Sequence, residues 1–309
     1  MDIRLFFSKT RYMNVEVNGK IESVRFIDDS LFFKTFEKVN NDSINHLREV
    51  ILYSIANKKV PDEWYERSKN WCVIRDSLFK FINTLKSDTT SEFIKFVLKA
   101  GRTNNYDFDC VFDDSVVKLE FKYGCTKIEE YPEILSMSSD NFIKKDSMSY
   151  SEYFYDNFVD KLKELYKVSE IPEKDYYLKN IHKSKDPHSF FIKLKEIEEN
   201  HKNEKKVLVD DSIDTYINEH LELDYSLIQS KLENSQIGKK FMLWKGNRFY
   251  MDYLRDEEVK IKELSILKKN KNINTVVLKT NCNTEYHMLL RWKNRLGILY
   301  PAWQIRIHR

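Results

Sequence analysis

The chain has 309 residues, 41% of them hydrophobic and 14% aromatic, with a formal charge of only +3 and few Gly (6) or Pro (5). This is enough apolar material for one large domain or two ordinary ones, with long helices and few elaborate loops. Cys72, Cys110, Cys125 and Cys282 stand far apart without a Cys-x-x-Cys, which argues against a disulfide scaffold or zinc knuckle and for reduced thiols.

The opening MDIRLFFSKTRYM lacks the long apolar segment of a signal peptide, and no stretch approaches bilayer length. An intracellular protein with no membrane partner is therefore expected. MNVEVNG and KIESVRFID read as strands around an Asn18-Gly19 turn. Residues 42–57 and 71–86 read as helices with apolar residues on one face. SDTTSEFIKFVLKAG predicts a third helix: several N-cap residues precede Glu92, apolar residues recur from Phe93 to Leu98, and Gly101 marks the stop.

Residues 106–124, YDFDCVFDDSVVKLEFKYG, predict two short strands joined by a turn. Residues 126–235 then read as mostly helical and charged, with SYSEYFYDNFVDKLKELYK and HSFFIKLKEIEENHKNEKK as the clearest helices and Asp175 to Pro187 as a loop. From Gln236 the pattern turns to strands: KKFMLW, RFYMDYL after a Lys245–Asn247 hairpin, NTVVLKTN, EYHMLLRW and PAWQIRIHR. The expected organisation is a mixed N-terminal region (1–87), a core with a helical part (88–235) and a basic, antiparallel β-rich end (236–309). The fold class is α/β in the broad, α+β sense.

Asp is depleted in strands, so Asp107 and Asp109 need a reason to be there. Side chains alternate along a strand, which sets Phe108, Cys110 and Phe112 on one side and both Asp residues on the other. On the second run Val117, Leu119 and Phe121 oppose Lys118, Glu120 and Lys122. A four-residue hairpin loop sets Asp109 opposite Glu120; a two-residue loop sets Asp107 there instead. In either register, acids and lysine converge on the polar face.

Phosphodiester hydrolysis needs a nucleophilic water, charge neutralisation at phosphorus and help for the leaving oxygen. Mg²⁺ or Mn²⁺ bound by one or two carboxylates and waters supplies much of this. Asp109 and Glu120 are the expected ligands, with the Phe121 carbonyl as a third, and Lys122 is placed to orient the attacking water. The arrangement resembles the PD-(D/E)xK, or restriction-endonuclease-like, nuclease superfamily. Glu120-Phe121-Lys122 matches its E-x-K, and Asp109, eleven residues earlier, matches its strand acid. Phe108 stands where the Pro of the name belongs, and Asp107 is a rival for the acid. The resemblance covers about residues 88–165, a quarter of the chain. It implies a helix–sheet–helix core, a supporting acid at Glu92 on the first core helix, and a DNA-cutting endonuclease. Some members of the superfamily cut RNA, and symmetric double-strand cutting implies a homodimer. Within the superfamily the chain looks most like stand-alone enzymes of large DNA viruses or phages.

The last 74 residues carry 16 Lys and Arg against 6 Asp and Glu, a net of +10, which leaves −7 for the first 235. Arg291, Lys293, Arg295, Arg306 and Arg309 alternate with apolar residues in MLLRWKNRLGILYPAWQIRIHR, the pattern of a phosphate-contacting surface. The first four are the expected nucleic-acid contacts; Trp292 and Trp303 read better as core than as base-stacking platforms. There is no Walker loop, no Gly-x-Ser-x-Gly and no His-Glu-x-x-His, so the chemistries that need them are not expected.

Overall fold

The computed structural model describes residues 12–17, 20–25, 30–33, 41–60, 62–86, 90–99, 104–181, 188–196, 201–269, 273–295 and 298–309. The chain divides into two compact units: Met1–Tyr131 with Gln236–Leu254, and Pro132–Ser235 with Arg255–Arg309. A division near residue 235 is present, but it separates segments of one unit from segments of the other. The strand-rich end is shared out: its first hairpin belongs to the first unit and the rest to the second.

The first unit opens with the antiparallel hairpin β1 (Tyr12–Val17) and β2 (Lys20–Arg25), in register from Val17 opposite Lys20 outward. This is the pairing that the Asn-Gly dipeptide predicts; the turn residues themselves lie outside the described residues. Helices α1 (Ser30–Phe33), α2 (Asn41–Ala56), α3 (Asp62–Arg67) and α4 (Lys69–Leu85) follow. Ser68 caps α4 by accepting from the Asn70 N–H, which satisfies one of the first-turn donors. Trp71, Ile74, Leu78, Phe81, Ile82 and Leu85 form its buried stripe.

Next come β3 (Phe93–Leu98), β4 (Phe108–Phe112) and β5 (Val116–Tyr123). The expected helix around Glu92 is thus a strand. Its apolar residues fit a 3.6-residue period, but the segment is short and aromatic, and Phe96 and Leu98 alternate inward to pair with β4. Tertiary pairing overrides the cap signals.

After the excursion through the second unit, β7 (Lys239–Lys245) and β8 (Arg248–Tyr253) complete a five-stranded sheet in the order β3-β4-β5-β7-β8, with β5 and β7 parallel and all other neighbours antiparallel. Gly246 and Asn247 make the β7–β8 turn at φ +59° and +63°, left-handed values that these two residues tolerate best. Phe96, Phe108, Cys110, Leu119, Phe121, Met242 and Trp244 pack with α2 and α4 in one core. Side chains occupy both edges of this sheet. Asn57 donates to the Phe96 carbonyl and accepts from its N–H, both at 3.0 Å, and Ser77 accepts from the Phe249 N–H at 3.0 Å. Such caps suppress edge-to-edge pairing with another chain.

The second unit begins with β6 (Leu135–Ser138), followed by helices α5 (Tyr150–Tyr166), α6 (Lys174–Asn180), α7 (Ser189–Glu196), α8 (Lys202–Glu219) and α9 (Tyr225–Gln236). Asp175 to Asn180, expected as loop, is helical, while 182–187 lie outside the described residues. A capping box between Ser149 and Glu152 starts α5. The short α10 (Asp256–Val259) leads into β9 (Ile261–Lys269), β10 (Ile273–Thr280), β11 (Glu285–Arg295) and β12 (Ile298–His308). These four strands and β6 form an antiparallel sheet in the order β6-β12-β11-β10-β9. Tyr286, Met288 and Leu290 on β11, with Trp303, Ile305 and Ile307 on β12, are buried on one face of it. The molecule is therefore mixed α/β. All four cysteines are free, and no described helix is long and apolar enough to cross a membrane.

Candidate functional site

The β4–β5 hairpin decides which acids meet. Phe112 donates its N–H to the Ser115 carbonyl, leaving Asp113 and Asp114 as a two-residue loop. The ladder runs Val111 opposite Val116 to Phe108 opposite Leu119. Just past its end Asp107 donates its N–H to the Leu119 carbonyl at 2.8 Å, and its Oδ2 accepts the Phe121 N–H at 2.8 Å. Asp107 is thus the strand acid across from Glu120. Asp109, expected in that place, pairs with Lys118, and its carboxylate takes Lys99 Nζ at 3.0 Å. Two residues of loop, rather than four, make this difference.

Glu120 is the centre of the cluster. One of its oxygens binds Lys122 Nζ at 2.6 Å, and the other holds Lys239 Nζ, which also donates to the Asn105 carbonyl at 3.0 Å. Lys239 comes from β7, whose parallel register with β5 brings it beside Lys118. The side chains of Lys239, Glu120 and Lys122 are only 3%, 10% and 16% exposed. Lys122 Nζ also lies 4.7 Å from the centroid of the Tyr131 ring, a cation–π contact. Phe121, between Glu120 and Lys122, turns its ring into the core and pairs with Met242.

The electrostatics are lopsided. Burial works against the Glu120 carboxylate, but the two ammonium groups outweigh it and hold its pKa below the ordinary value. Burial likewise disfavours the Lys122 cation, yet Glu120, Tyr131 and Asp107 raise its pKa. Lys239 is pulled down by burial, with Glu120 opposing. Asp107 goes the other way: burial first, then the carboxylates of Glu49 and Glu120, push it up to about 7 despite Lys122 and the Phe121 N–H. The two ammonium groups are bound to Glu120, Glu49 has His46 beside it at 3.4 Å, and Asp107 is left facing two carboxylates.

Glu49, on α2, is the acid that sequence reasoning missed. Its signal was a single carboxylate inside the strongly apolar run HLREVILYSI, where it is nearly buried. Lys239 had a fainter one, a lysine opening a buried strand. Glu92 does not join the site. It is exposed at the other end of the β3–β4 ladder, where its N–H donates to Asp113 Oδ1 and its carbonyl accepts the Asp113 N–H. The five residues of β4 put it about 17 Å along the strand from Asp107. The helix carboxylate whose charge acts on Asp107 is Glu49 of α2.

Among the described residues, no three His, Cys, Asp or Glu side chains are grouped to hold a metal ion as they stand. The donor chemistry fits a hard divalent cation nonetheless. Asp107, just before β4, and Glu120 on β5 offer carboxylate oxygens in a buried site where neighbouring carboxylates push Asp107 up, and Mg²⁺ is commonly held by one or two carboxylates and waters.

On the second unit's sheet, Arg291, Lys293 and Arg306 lie on one face of the β11–β12 pair, opposite the buried tryptophan face. Arg291 donates to Gln304 Oε1 at 2.7 Å and Arg306 to the Pro132 carbonyl at 2.7 Å, so both are held by neutral acceptors and stay exposed. Lys293 is neutralised by Glu133 and donates to Ser136 at 2.7 Å. Arg295 is in β11, opposite Ile298, but its side chain lies outside the described residues. Trp303 is fully buried and donates to the Ser139 carbonyl, while half-buried Trp292 donates to the Tyr150 hydroxyl. Both tryptophans serve packing, as expected. No protein-family model matches this chain, and no curated protein or solved structure is significantly similar to it.

Proposed function

We propose that the first unit is a metal-dependent nuclease of the restriction-endonuclease-like type, acting on DNA, with Asp107 in the place assigned to Asp109. The observation that carries this reading is the facing of Asp107 and Glu120 across β4–β5, with Lys122 on the same face and Glu49 adding a third carboxylate. The strand order supports it: an antiparallel β3-β4-β5 meander extended by parallel β7 fits the expected core.

Asp107 and Glu120, with the Phe121 carbonyl, would hold Mg²⁺ or Mn²⁺, which when bound supplies charge neutralisation at phosphorus and an acidified water. Lys122, charged and nearly buried, orients that water and counters the growing phosphorane charge. Tyr131 confines the ammonium on its other side. Arg291 and Arg306, cationic and exposed, offer phosphate contacts on the second unit.

A second reading has its own observation. Both Glu120 oxygens already hold ammonium groups, so the cluster also suits a purely structural ion network in a non-catalytic nucleic-acid-binding protein. The separating experiment incubates purified protein with plasmid, linear DNA, single-stranded DNA and RNA, with and without Mg²⁺. Metal-dependent cleavage of DNA supports the proposal, and cleavage of RNA alone moves the substrate. Binding without cleavage of any of them favours the structural network.

A further inference from the structure

The lysine that no strand motif announces is the most deeply buried member of the cluster. The Lys239 side chain is 3% exposed, and its Nζ sits on one oxygen of Glu120 and has one further acceptor, the Asn105 carbonyl at 3.0 Å. Lys122 holds the other oxygen and is less buried, with the Tyr131 ring beside it. The two lysines are therefore not equivalent. A cation arriving at Glu120 competes with both of them for its oxygens and repels their charges. Lys122 has no carbonyl acceptor among its hydrogen bonds given by the described residues, whereas Lys239 would keep its bond to Asn105 after letting go. Lys122 would be left with the Tyr131 ring and with Asp107, itself a proposed ligand of the cation, whereas Lys239 has a neutral carbonyl in reach that the cation does not claim.

We infer that Lys239 is a counter-ion latch: it neutralises Glu120 in the metal-free protein and yields that oxygen, falling back on Asn105, when a divalent cation binds. This rests on the metal-dependent reading above and deepens it by naming what the cation competes with. An internal competitor lowers the apparent affinity for metal, because binding must first break a buried ion pair. The chain thereby keeps its acidic cluster folded without metal and loads at a higher metal concentration than the carboxylates alone would require. The rival role for the same contacts is orientation. In that case Lys239 holds Glu120 in place, Lys122 leaves, and Lys239 assists binding.

The two roles have opposite signs in one experiment. Mn²⁺ binding is measured by titration calorimetry on full-length wild type, Lys239→Met and Lys239→Arg, and thermal melts are recorded with and without Mn²⁺. The latch predicts that Lys239→Met binds Mn²⁺ more tightly, by about ten-fold or more, since a unit charge at hydrogen-bond distance has been removed. Its metal-free melting temperature falls, and saturating Mn²⁺ closes most of the gap to wild type. Lys239→Arg, which keeps the charge, stays on the weak-binding side. If the metal-free Met variant does not fold, Lys239→Gln gives the same comparison with a polar group retained beside Asn105. Weaker or unchanged Mn²⁺ affinity in the folded variant overturns the latch, and weaker affinity assigns orientation. A gap in melting temperature that Mn²⁺ leaves intact also overturns it. Absence of Mn²⁺ uptake by wild type is a different failure, which removes the metal-dependent reading and the latch together.

Discussion

The two charged regions of this molecule differ in what holds their charges. In the first unit Glu120, Lys122 and Lys239 are nearly buried and bonded to one another, with Asp107 left short of a counter-charge. On the second unit's sheet Arg291 and Arg306 are exposed and bonded to neutral oxygens, so their charge remains available to solvent and to a polyanion. Buried charge is expensive and persists only with partners; exposed charge is cheap and is screened by salt. Regional net charge picked out the second region easily. The first, where net charge is small because the signs cancel, is the one that buries its charges against one another.

The strongest way to break this comparison is to remove one member of the buried cluster. Glu120→Gln leaves two ammonium groups without their carboxylate and should cost about 3–5 kcal/mol of stability in urea denaturation, besides abolishing cleavage. A loss below about 1 kcal/mol would mean that the cluster is in effect solvated. Lys122→Met should slow cleavage by roughly 10²–10⁴-fold, the usual range for a group that manages a proton or water.

Asp107→Asn sharpens the comparison because stability and function should part. The carboxyl's pKa is raised in the folded protein to about 7 from an ordinary 3.8. Between those values the folded state keeps a proton that the unfolded chain has lost, so stability falls as pH rises from about 4 to about 7. Asn can still accept the Phe121 N–H and carries no such charge. The variant should therefore equal wild type near pH 4 and exceed it at pH 8 by on the order of 4 kcal/mol, while cleavage is lost. Thermal melts across that range check it. An advantage that shrinks as pH rises would reverse the sign and remove the charge deficit from the account.

The smallest effect belongs to the exposed region. Replacing Arg291 and Arg306 by Ala should change stability by no more than about 0.5 kcal/mol and lower the salt slope of DNA binding by about two units. Lys293→Ala should matter less for binding, because Glu133 already neutralises Lys293. Fluorescence anisotropy over a salt series separates these, and an unchanged slope in the double variant would place the phosphate contacts elsewhere.

Much of the fold was legible where one local signal dominated. The β1–β2 hairpin, α2, α4, α5, the β4–β5 pair and β10–β12 follow from turn dipeptides and apolar periodicity. β3 was not, because FIKFVL satisfies helical and strand periods alike and only pairing with β4 decides. β9 was hidden by IKELSILKK, whose lysines and exposed Ile266 and Leu267 give no clean inward face. At the site, the polar face of the hairpin, Glu120 and Lys122 could be read from alternation. The choice between Asp107 and Asp109 could not, since it turns on whether Phe112 and Ser115 pair across Asp113-Asp114. Glu49 and Lys239 approach the hairpin from α2 and β7, at sequence distances that no local pattern spans.

Plasmid cleavage by matched Asp107→Asn and Asp109→Asn variants, in Mg²⁺ at pH 8, tests the central claim most directly. Only Asp107 faces Glu120, while Asp109 is occupied by Lys99. The account predicts that wild type and Asp109→Asn cut and that Asp107→Asn does not, although it folds at least as stably. Cleavage by Asp107→Asn with none by Asp109→Asn would contradict it, and so would a wild-type protein that cuts no nucleic acid under any metal condition.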